Sequence, residues 1–513
     1  MHKSKLSHLM VLSSLFILSI TALFPLVSFA EDGTAPETET TTTQQESIAE
    51  DIMSIARNAG YTVDDVYRPA ASIVIEANSG QVIWADQADL AWYPASIAKM
   101  MTVYLVLDAI KEGKLTLDTQ VTATESDAAI SQIYELSNTT IVAGAAYPVT
   151  DLLYMTTLAS SNAATVMLAN LITSNDAAAF ITMMNEKAKT LGMTNTTFYN
   201  PSGAAASAFN GYYVPEGIDP EADNTSTARD LALMFYHLLK DHPEVLEYTN
   251  KFQVTVMENT EYAEVLENSN RSIPGSSYGY EGEDGLKTGA SPEAAFNYAA
   301  TAKRGDMRLI EVVLGVGSWE DPESENYRHI FGNALFDYGF NNFEYKIVLP
   351  AGTQTVNNKE IILEQDFYGL LRKGTQPEFI LSDNQQLLLS NQLEKVSPSL
   401  PAPSISYQEK KTENTDTVAA DTGADKEGNN AASPTSFVGK IRQRWKEYAI
   451  SIVFLILSIL LLIYSQTKSS KLKQTRKRAT ARKQTAFILG VTCLLIAVAA
   501  ATFTFVAGQW LPF

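Results

Sequence analysis

Three short clusters of reactive side chains follow one another along the 513-residue chain: Ser96-Ile97-Ala98-Lys99, Ser160-Ser161-Asn162 and Lys287-Thr288-Gly289. A serine hydroxyl becomes a nucleophile only beside a base, and a lysine serves when burial or neighbouring positive charge depresses its pKa. Ser96 follows Pro94-Ala95 and opens a predicted helix. Lys99, three residues on, shares its face at about 5–6 Å between Cβ atoms. The free N–H groups of a helix start also suit a developing oxyanion. Ser160 and Asn162 offer a hydroxyl for proton relay and an amide for holding a substrate amide. Lys287-Thr288-Gly289 has the makings of a strand edge that aligns a peptide by β-pairing. Its charge and hydroxyl suit a carboxylate, and Gly289 permits close approach. Lys287 also supplies the charge that depresses Lys99 if folding joins them.

Each cluster taken alone has a plainer explanation. Ser96 fits a helix N-cap, Ser160 and Asn162 fit a turn between helices, and Lys287–Gly289 fits a tight turn into a strand. Copies occur by chance: a serine three before a lysine at Ser465 and Ser470, and Ser-x-Asn at Ser324 and Ser382. Only one Lys-Thr-Gly exists, and only one Ser-x-Asn lies between it and a preceding Ser-x-x-Lys, at separations of 64 and 127 residues. Order and context make the set specific.

Other chemistries recede. One cysteine, Cys493, rules out an intrachain disulfide scaffold and a cysteine zinc cluster. The five histidines form no HExxH or HxH pair, so no metal site and no cofactor are expected. His237 and His242 read as surface positions on or near one helix. A net charge of −20 argues against nucleic acid. That charge is uneven: Gln466–Gln484 carries eight Lys and Arg and no acid, leaving −28 elsewhere.

The elements that must position these residues follow from periodicity. Ala71–Ala77 and Gln81–Trp84 flank Asn78-Ser79-Gly80 as a hairpin. A helix runs from Ser96 to Glu112 with Gly113 just past its end. Helical patterns recur at Thr150–Leu158, Asn162–Ile172 and Asp176–Leu191, and strands return at Asn297–Lys303 and Arg308–Val316. Strands at both ends with helices between predict a sheet whose chain ends pair, covered by a helical lobe. The full division is a signal peptide at 1–30 (Lys3 and Lys5, an apolar run, and Ser28-Phe29-Ala30 before the cut), an acidic low-complexity lead-in at 31–66, and a catalytic domain at 67–345. A small β-rich domain at 346–406 and a polar linker at 407–436 follow. An interfacial helix is expected at 437–447 and membrane spans at 448–467 and 484–508, around a basic loop at 468–483. The positive-inside rule makes that loop cytoplasmic and the large domain extracytoplasmic.

In their wider context the motifs resemble the penicillin-binding and serine β-lactamase superfamily. Tyr93–Thr102, Asn200–Gly203, Thr227–Asp230, Asp284–Gly289 and Ala300–Asp306 are similar to the low-molecular-mass D-alanyl-D-alanine carboxypeptidases. The resemblance covers roughly Tyr67 to Ser406. It implies an α/β (α+β) chain: a β-lactamase/transpeptidase-like catalytic domain with an antiparallel sheet and helical lobe, then a small β-rich domain and C-terminal transmembrane helices. It further implies Ser96 as acylated nucleophile, Lys99 as base, and Ser160 and Asn162 shaping the site. Lys287 and Thr288 would hold the terminal carboxylate, and the N–H groups of Ser96 and Ala290 the oxyanion. The implied substrate is a peptidoglycan stem peptide, with β-lactams as inhibitors. Three departures stand out: Ala163 where relatives carry an acid, Ala290-Ser291 after the third motif, and an inserted loop at Ala204–Asn224 bearing Tyr212 and Tyr213 near the cleft. Alternatives on the same fold are a D,D-endopeptidase, a transpeptidase or a β-lactamase. A catalytically weak wall-binding protein is the non-enzymatic rival, motivated by Ala163. Gly275-Ser-Ser-Tyr-Gly279 formally matches a nucleophile elbow but lacks the strand and helix that motif requires.

Overall fold

The structure, a computed structural model, describes residues 50–410. The signal segment, the first part of the lead-in, the second linker, the interfacial helix, both spans and the basic loop lie outside the described residues. Among those described, no single helix is long and apolar enough to cross a membrane.

A short helix precedes the stretch that opens at 67. A helix at Ile52–Asn58 buries Ile52, Met53, Ile55 and Ala56 against the domain, and Trp84 Nε1 donates to Glu50 O at 2.8 Å. Tyr67 stacks on Tyr327 at 3.7 Å between ring centroids. Polar composition up to Ser47 hid this short amphipathic stretch.

β1 (Ala71–Glu76) and β2 (Val82–Asp86) form the expected antiparallel hairpin. Its turn closes on the Glu76 carboxylate, which accepts from the N–H groups of Asn78 (3.0 Å) and Ser79 (2.8 Å). The helical lobe follows. Lys99–Lys111 is apolar on nearly every side, from Met100 through Leu107, so it is a central core helix. Each of its large apolar side chains contributes roughly 1.5–3 kcal/mol by leaving water. Helices Val149–Thr157, Asn162–Thr173, Ala177–Leu191 and Ala228–Asp241 pack around it. The last three of these starts are capped by local side chains: Ser161 accepts from Ala164 N (3.2 Å), Asp176 from Ala179 N (2.9 Å) and Thr227 from Asp230 N (3.0 Å). Two small two-stranded antiparallel sheets lie in the lobe, β3 (Gln120–Thr122) with β4 (Ala146–Pro148), across the helix Glu125–Ser131, and β5 (Gln253–Val256) with β6 (Glu264–Glu267).

The chain then returns to the sheet as β7 (Glu283–Ser291), β8 (Ala295–Arg304) and β9 (Met307–Val316). The order is β2-β1-β9-β8-β7, antiparallel throughout, and Ala71 of β1 pairs with Leu314 of β9. The chain ends therefore do pair. The sheet is covered on both faces. Ile73, Ile75, Ile310 and Val312 face the helical lobe. Val74, Tyr298, Leu309 and Val313 face the helix Ser324–Asn342.

A β-rich domain follows, with β10 (Phe343–Leu349), β11 (Gly352–Val356), β12 (Lys359–Leu363), β13 (Phe367–Arg372), β14 (Phe379–Leu381), β15 (Gln386–Leu389), β16 (Ser404–Ser406) and β17 (Gln408–Glu409) around a core of its own. Its segment near Glu394 also closes one edge of the large sheet: Val82 N donates to Glu394 O (2.7 Å) and Val396 N to Gly80 O (2.8 Å). With β2 covered, β7 is the edge left open to a peptide.

One surface expectation fails. His242 is fully buried, its Nε2 2.8 Å from Asp108 Oδ1 and its Nδ1 3.1 Å from Glu244 Oε1. Paired carboxylates let a polar ring sit inside. Of the two insertion tyrosines, Tyr213 joins the core beside Phe209, while Tyr212 and Val214 stay exposed. The stretch Gly275–Gly279 lies in turns with no strand before it and no helix after it.

Candidate active site

Ser96 is not a helix N-cap. It lies in a one-turn 3₁₀ segment, Ala95–Ala98, that precedes the helix proper and makes no capping bond. This turn packs on β7 and β8, which sets the hydroxyl over the open edge. Ala95 has φ of 47° and Gly203 φ of +89°. A Cβ at Gly203 would collide with the Ala95 carbonyl, so the Asn200–Gly203 turn is a close backstop to the turn carrying Ser96.

Lys99 is fully buried. Its Nζ lies 2.9 Å from Ser96 Oγ, 3.1 Å from Asn162 Oδ1 and 2.8 Å from Ser202 O. Asn162 Oδ1 and Ser202 O only accept, so they take both N–H bonds of a neutral amine. Its lone pair is then left for the Ser96 hydroxyl. Burial holds the Lys99 pKa well below the ordinary lysine value, and the charge of Lys287 lowers it further. The expected link between the two lysines is present.

Ser160 sits between two helices with φ of 61° and is 8% exposed. Asn162 opens the next helix, and its Nδ2 donates to Ser137 O at 2.9 Å. Ala163 leaves no gap: its N–H donates to Asn138 Oδ1 at 2.9 Å, so the 137–139 loop is anchored without an acid at that position.

Lys287, Thr288, Gly289 and Ala290 lie on β7, the edge strand. Lys287 is 1% exposed and its Nζ donates to Thr288 O at 3.1 Å. Burial, then the charge of Arg328, brings its pKa down to about 7. A Cβ at Gly289 would sit 2.7 Å from Pro94 O and 3.2 Å from Ser96 N, which is why only glycine lets this strand pass so close to Ser96. Ser291 accepts from Ala294 N at 3.0 Å and closes the β7–β8 turn.

The fold thus joins all three motifs, and it adds residues the motifs do not contain. Ser269 Oγ meets Thr288 Oγ1 at 2.8 Å. Arg328 is buried behind β7, its Nη1 3.5 Å from Gly289 O and its Nη2 2.8 Å from Glu325 Oε1. Nothing in their sequence neighbourhoods marks either one, because both reach the site from other elements.

A family profile described as D-alanyl-D-alanine carboxypeptidase matches residues 61–318, half of the chain. The chain is a serine hydrolase of the D-alanyl-D-alanine carboxypeptidase family. A domain of unknown function matches residues 345–408, the β-rich domain. The D-alanyl-D-alanine carboxypeptidase DacF of Bacillus subtilis is 31% identical over 294 residues, 57% of this chain and 67% of that protein. The chain spans about two thirds of the length of the curated relatives it matches. Among solved structures, a peptidoglycan synthesis regulatory factor (PBP3) from Streptococcus pneumoniae aligns with a TM-score of 0.58 at 25% identity, covering 67% of this chain and 99% of that one. Penicillin binding protein 5 from Haemophilus influenzae aligns at 0.52 and 26% identity, covering 68% and 98%. Both alignments extend past the carboxypeptidase domain, as expected if the β-rich domain is shared.

Proposed function

We propose that the chain removes the terminal D-alanine from peptidoglycan stem pentapeptides through an acyl-enzyme on Ser96. The observation that carries the residue roles is the buried Lys99 amine, 2.9 Å from Ser96 Oγ with its two other partners both acceptors. Neutral Lys99 takes the Ser96 proton as Oγ attacks the penultimate carbonyl carbon. The N–H groups of Ser96 and Ala290 stabilise the tetrahedral oxyanion. Collapse breaks the C–N bond, and the leaving amine takes the proton back by way of Ser160. Water then attacks the ester and gives a proton to Lys99; as the acyl C–O bond breaks, Lys99 passes that proton to Ser96 Oγ and the shortened peptide leaves as its carboxylic acid. Asn162 holds the Lys99 amine, and Lys287 with Thr288 binds the terminal carboxylate. Penicillin, a cyclic amide with a carboxylate in the corresponding place, would acylate Ser96 and deacylate slowly. The anchoring of Ala163 by Asn138 removes the one support for a vestigial site.

Lys287 gives the test. With its pKa brought down to about 7, its charge builds as pH falls through that value and fades as pH rises through it. KM for a pentapeptide, followed by D-alanine release, is expected to rise as pH climbs through that value, since the carboxylate loses its cation. Lys287→Gln is expected to raise KM by about one to two orders of magnitude, the size of a buried charge-assisted bond, and to flatten that rise. Release of D-alanine with no dependence on Lys287 would refute the assignment.

We further infer that the enzyme is exported and tethered by the runs 448–467 and 484–508, with 468–483 inside the cell. Support comes from the sequence alone: a cleavable apolar start and a basic island between two uncharged runs. Protease added outside intact spheroplasts should digest the catalytic domain, and protection of that domain would overturn the topology.

A further inference from the structure

Behind the carboxylate-binding strand lie two carboxyl groups that the acylation chemistry does not use. Glu283 starts β7 and Glu311 sits mid-β9, on the sheet face covered by the helix Ser324–Asn342. They are 3% and 0% exposed. Glu283 Oε2 and both carboxyl oxygens of Glu311 have no hydrogen-bond partner. A charge there would be desolvated and uncompensated, so both groups are protonated near neutrality. Burial brings Glu283 up to about 8, and burial with Glu283 alongside raises Glu311 well above the carboxylate range. The ionisable groups around them reinforce this. Asp284 and Asp337 add negative charge, and Tyr298 contributes a phenol. His329 is held neutral by burial and by Arg328, and Arg328 is itself paired with Glu325.

Glu283 Oε1 is the opposite case, a junction. Tyr298 OH donates to it at 2.5 Å and Asn270 Nδ2 at 2.7 Å. Asn270 is the neighbour of Ser269, whose hydroxyl meets Thr288 at 2.8 Å. Asn270 Oδ1 also accepts from Ser272 N (2.9 Å), and Ser272 Oγ lies 3.1 Å from His329 Nδ1, beside Arg328. The segment 268–272 belongs to no helix or strand; backbone bonds from Asn268 N to Phe252 O (2.9 Å) and Ser269 N to Leu158 O (3.0 Å) hold it to the helical lobe, and the side-chain bonds to Glu283 hold it on the β7 side.

We propose that Glu283 is a positioning residue for the carboxylate-binding end of the cleft: its neutral carboxyl anchors Asn270, and Asn270 sets Ser269 against Thr288. Glu311 has no bond to this chain of contacts and acts only through its proximity to Glu283. The proposal rests on the carboxypeptidase reading above and adds a pH-sensitive support to it.

The test uses the full chain in detergent with a pentapeptide ending in D-Ala-D-Ala, below pH 7 where Lys287 keeps its charge. Glu283→Ala is expected to raise KM about five- to tenfold, the size of one lost buried hydrogen bond, with kcat within about twofold. Glu283→Gln keeps the acceptor and should stay within about twofold of wild type. Glu311→Gln should leave KM unchanged. A second readout is the thermal midpoint against pH. Between the unfolded value of 4.5 and about 8 the folded state binds the Glu283 proton more tightly, so stability falls as pH rises. Glu283→Gln should make that fall shallower. Equal KM in wild type and Glu283→Ala, equal damage from Ala and Gln, or an unchanged pH slope in Glu283→Gln would each overturn the proposal. Should Glu283→Ala fail to fold, the Gln variant's slope decides. If wild type releases no D-alanine, the carboxypeptidase reading fails, while the pH slope still reports on Glu283.

Discussion

Replacing Ser96 by alanine is expected to abolish covalent labelling by fluorescent penicillin and to cut D-alanine release by roughly 10⁴-fold or more. No other hydroxyl can substitute. Ser160 is the nearest by motif, yet the Lys99 amine bonds the side chains of Ser96 and Asn162 and the backbone carbonyl of Ser202, and no hydroxyl but that of Ser96. The loss would be chemical rather than structural. Ser96 Oγ makes one hydrogen bond, and in its absence Lys99 keeps two acceptors, so the change in stability should be on the order of 1 kcal/mol. Gel fluorescence after penicillin treatment, with a melting curve for each variant, reads both parts. Labelling that survives in Ser96→Ala would place the nucleophile elsewhere and sink the mechanism.

The second large effect belongs to Lys99. Lys99→Ala is expected to slow acylation by roughly 10²–10⁴-fold, the usual worth of a positioned base. Lys99→Arg should not rescue it, because a guanidinium stays protonated and brings a charge into a site built for a neutral amine. The pH dependence has a definite sign. The folded-state pKa is lowered, so the base is inactive at low pH, gains activity as the proton leaves, and reaches its plateau well below the pH at which an ordinary lysine titrates. Lys287 acts with the opposite sign, being useful while charged, so kcat/KM should be bell-shaped. Stopped-flow acylation by a chromogenic β-lactam isolates the acid limb. An acid limb at the pH of an ordinary exposed lysine would show that Lys99 is not the base.

Much of this site was legible from residue types and order, because the chemistry needs particular groups and chance rarely arranges three motifs in sequence. The elements were legible too. Ala71–Glu76 and Val82–Asp86 flank a turn with Gly80, and Lys99–Lys111 ends at Gly113. What escaped was set by tertiary contacts. Glu311 stands in Met-Arg-Leu-Ile-Glu-Val-Val-Leu, where a lone acid usually marks a solvent face. Here both sheet faces are covered and the acid is buried. His242 was read as exposed because Asp108, which holds it inside, is far away in sequence. Ser269 and Arg328 approach β7 from the side and from behind, and no local pattern records an approach of that kind. The helix Ile52–Asn58 was missed since its polar face resembles the tract before it.

The pairing of Ala71 with Leu314 has a consequence for when activity can arise. Contacts inside the helical lobe already reach far along the chain, with Lys99 bonding Ser202 and Thr157 bonding Tyr248, but the pairing of β1 with β9 reaches further still. Closing the sheet must wait for a loop of more than two hundred residues, and long-range pairing of that kind is slow. Ser96 and Lys99 precede that closure in the chain, while β7 with Lys287 lies far beyond them. A chain that stops short of β7 therefore holds the Ser96–Lys99 pair without the strand that packs against it.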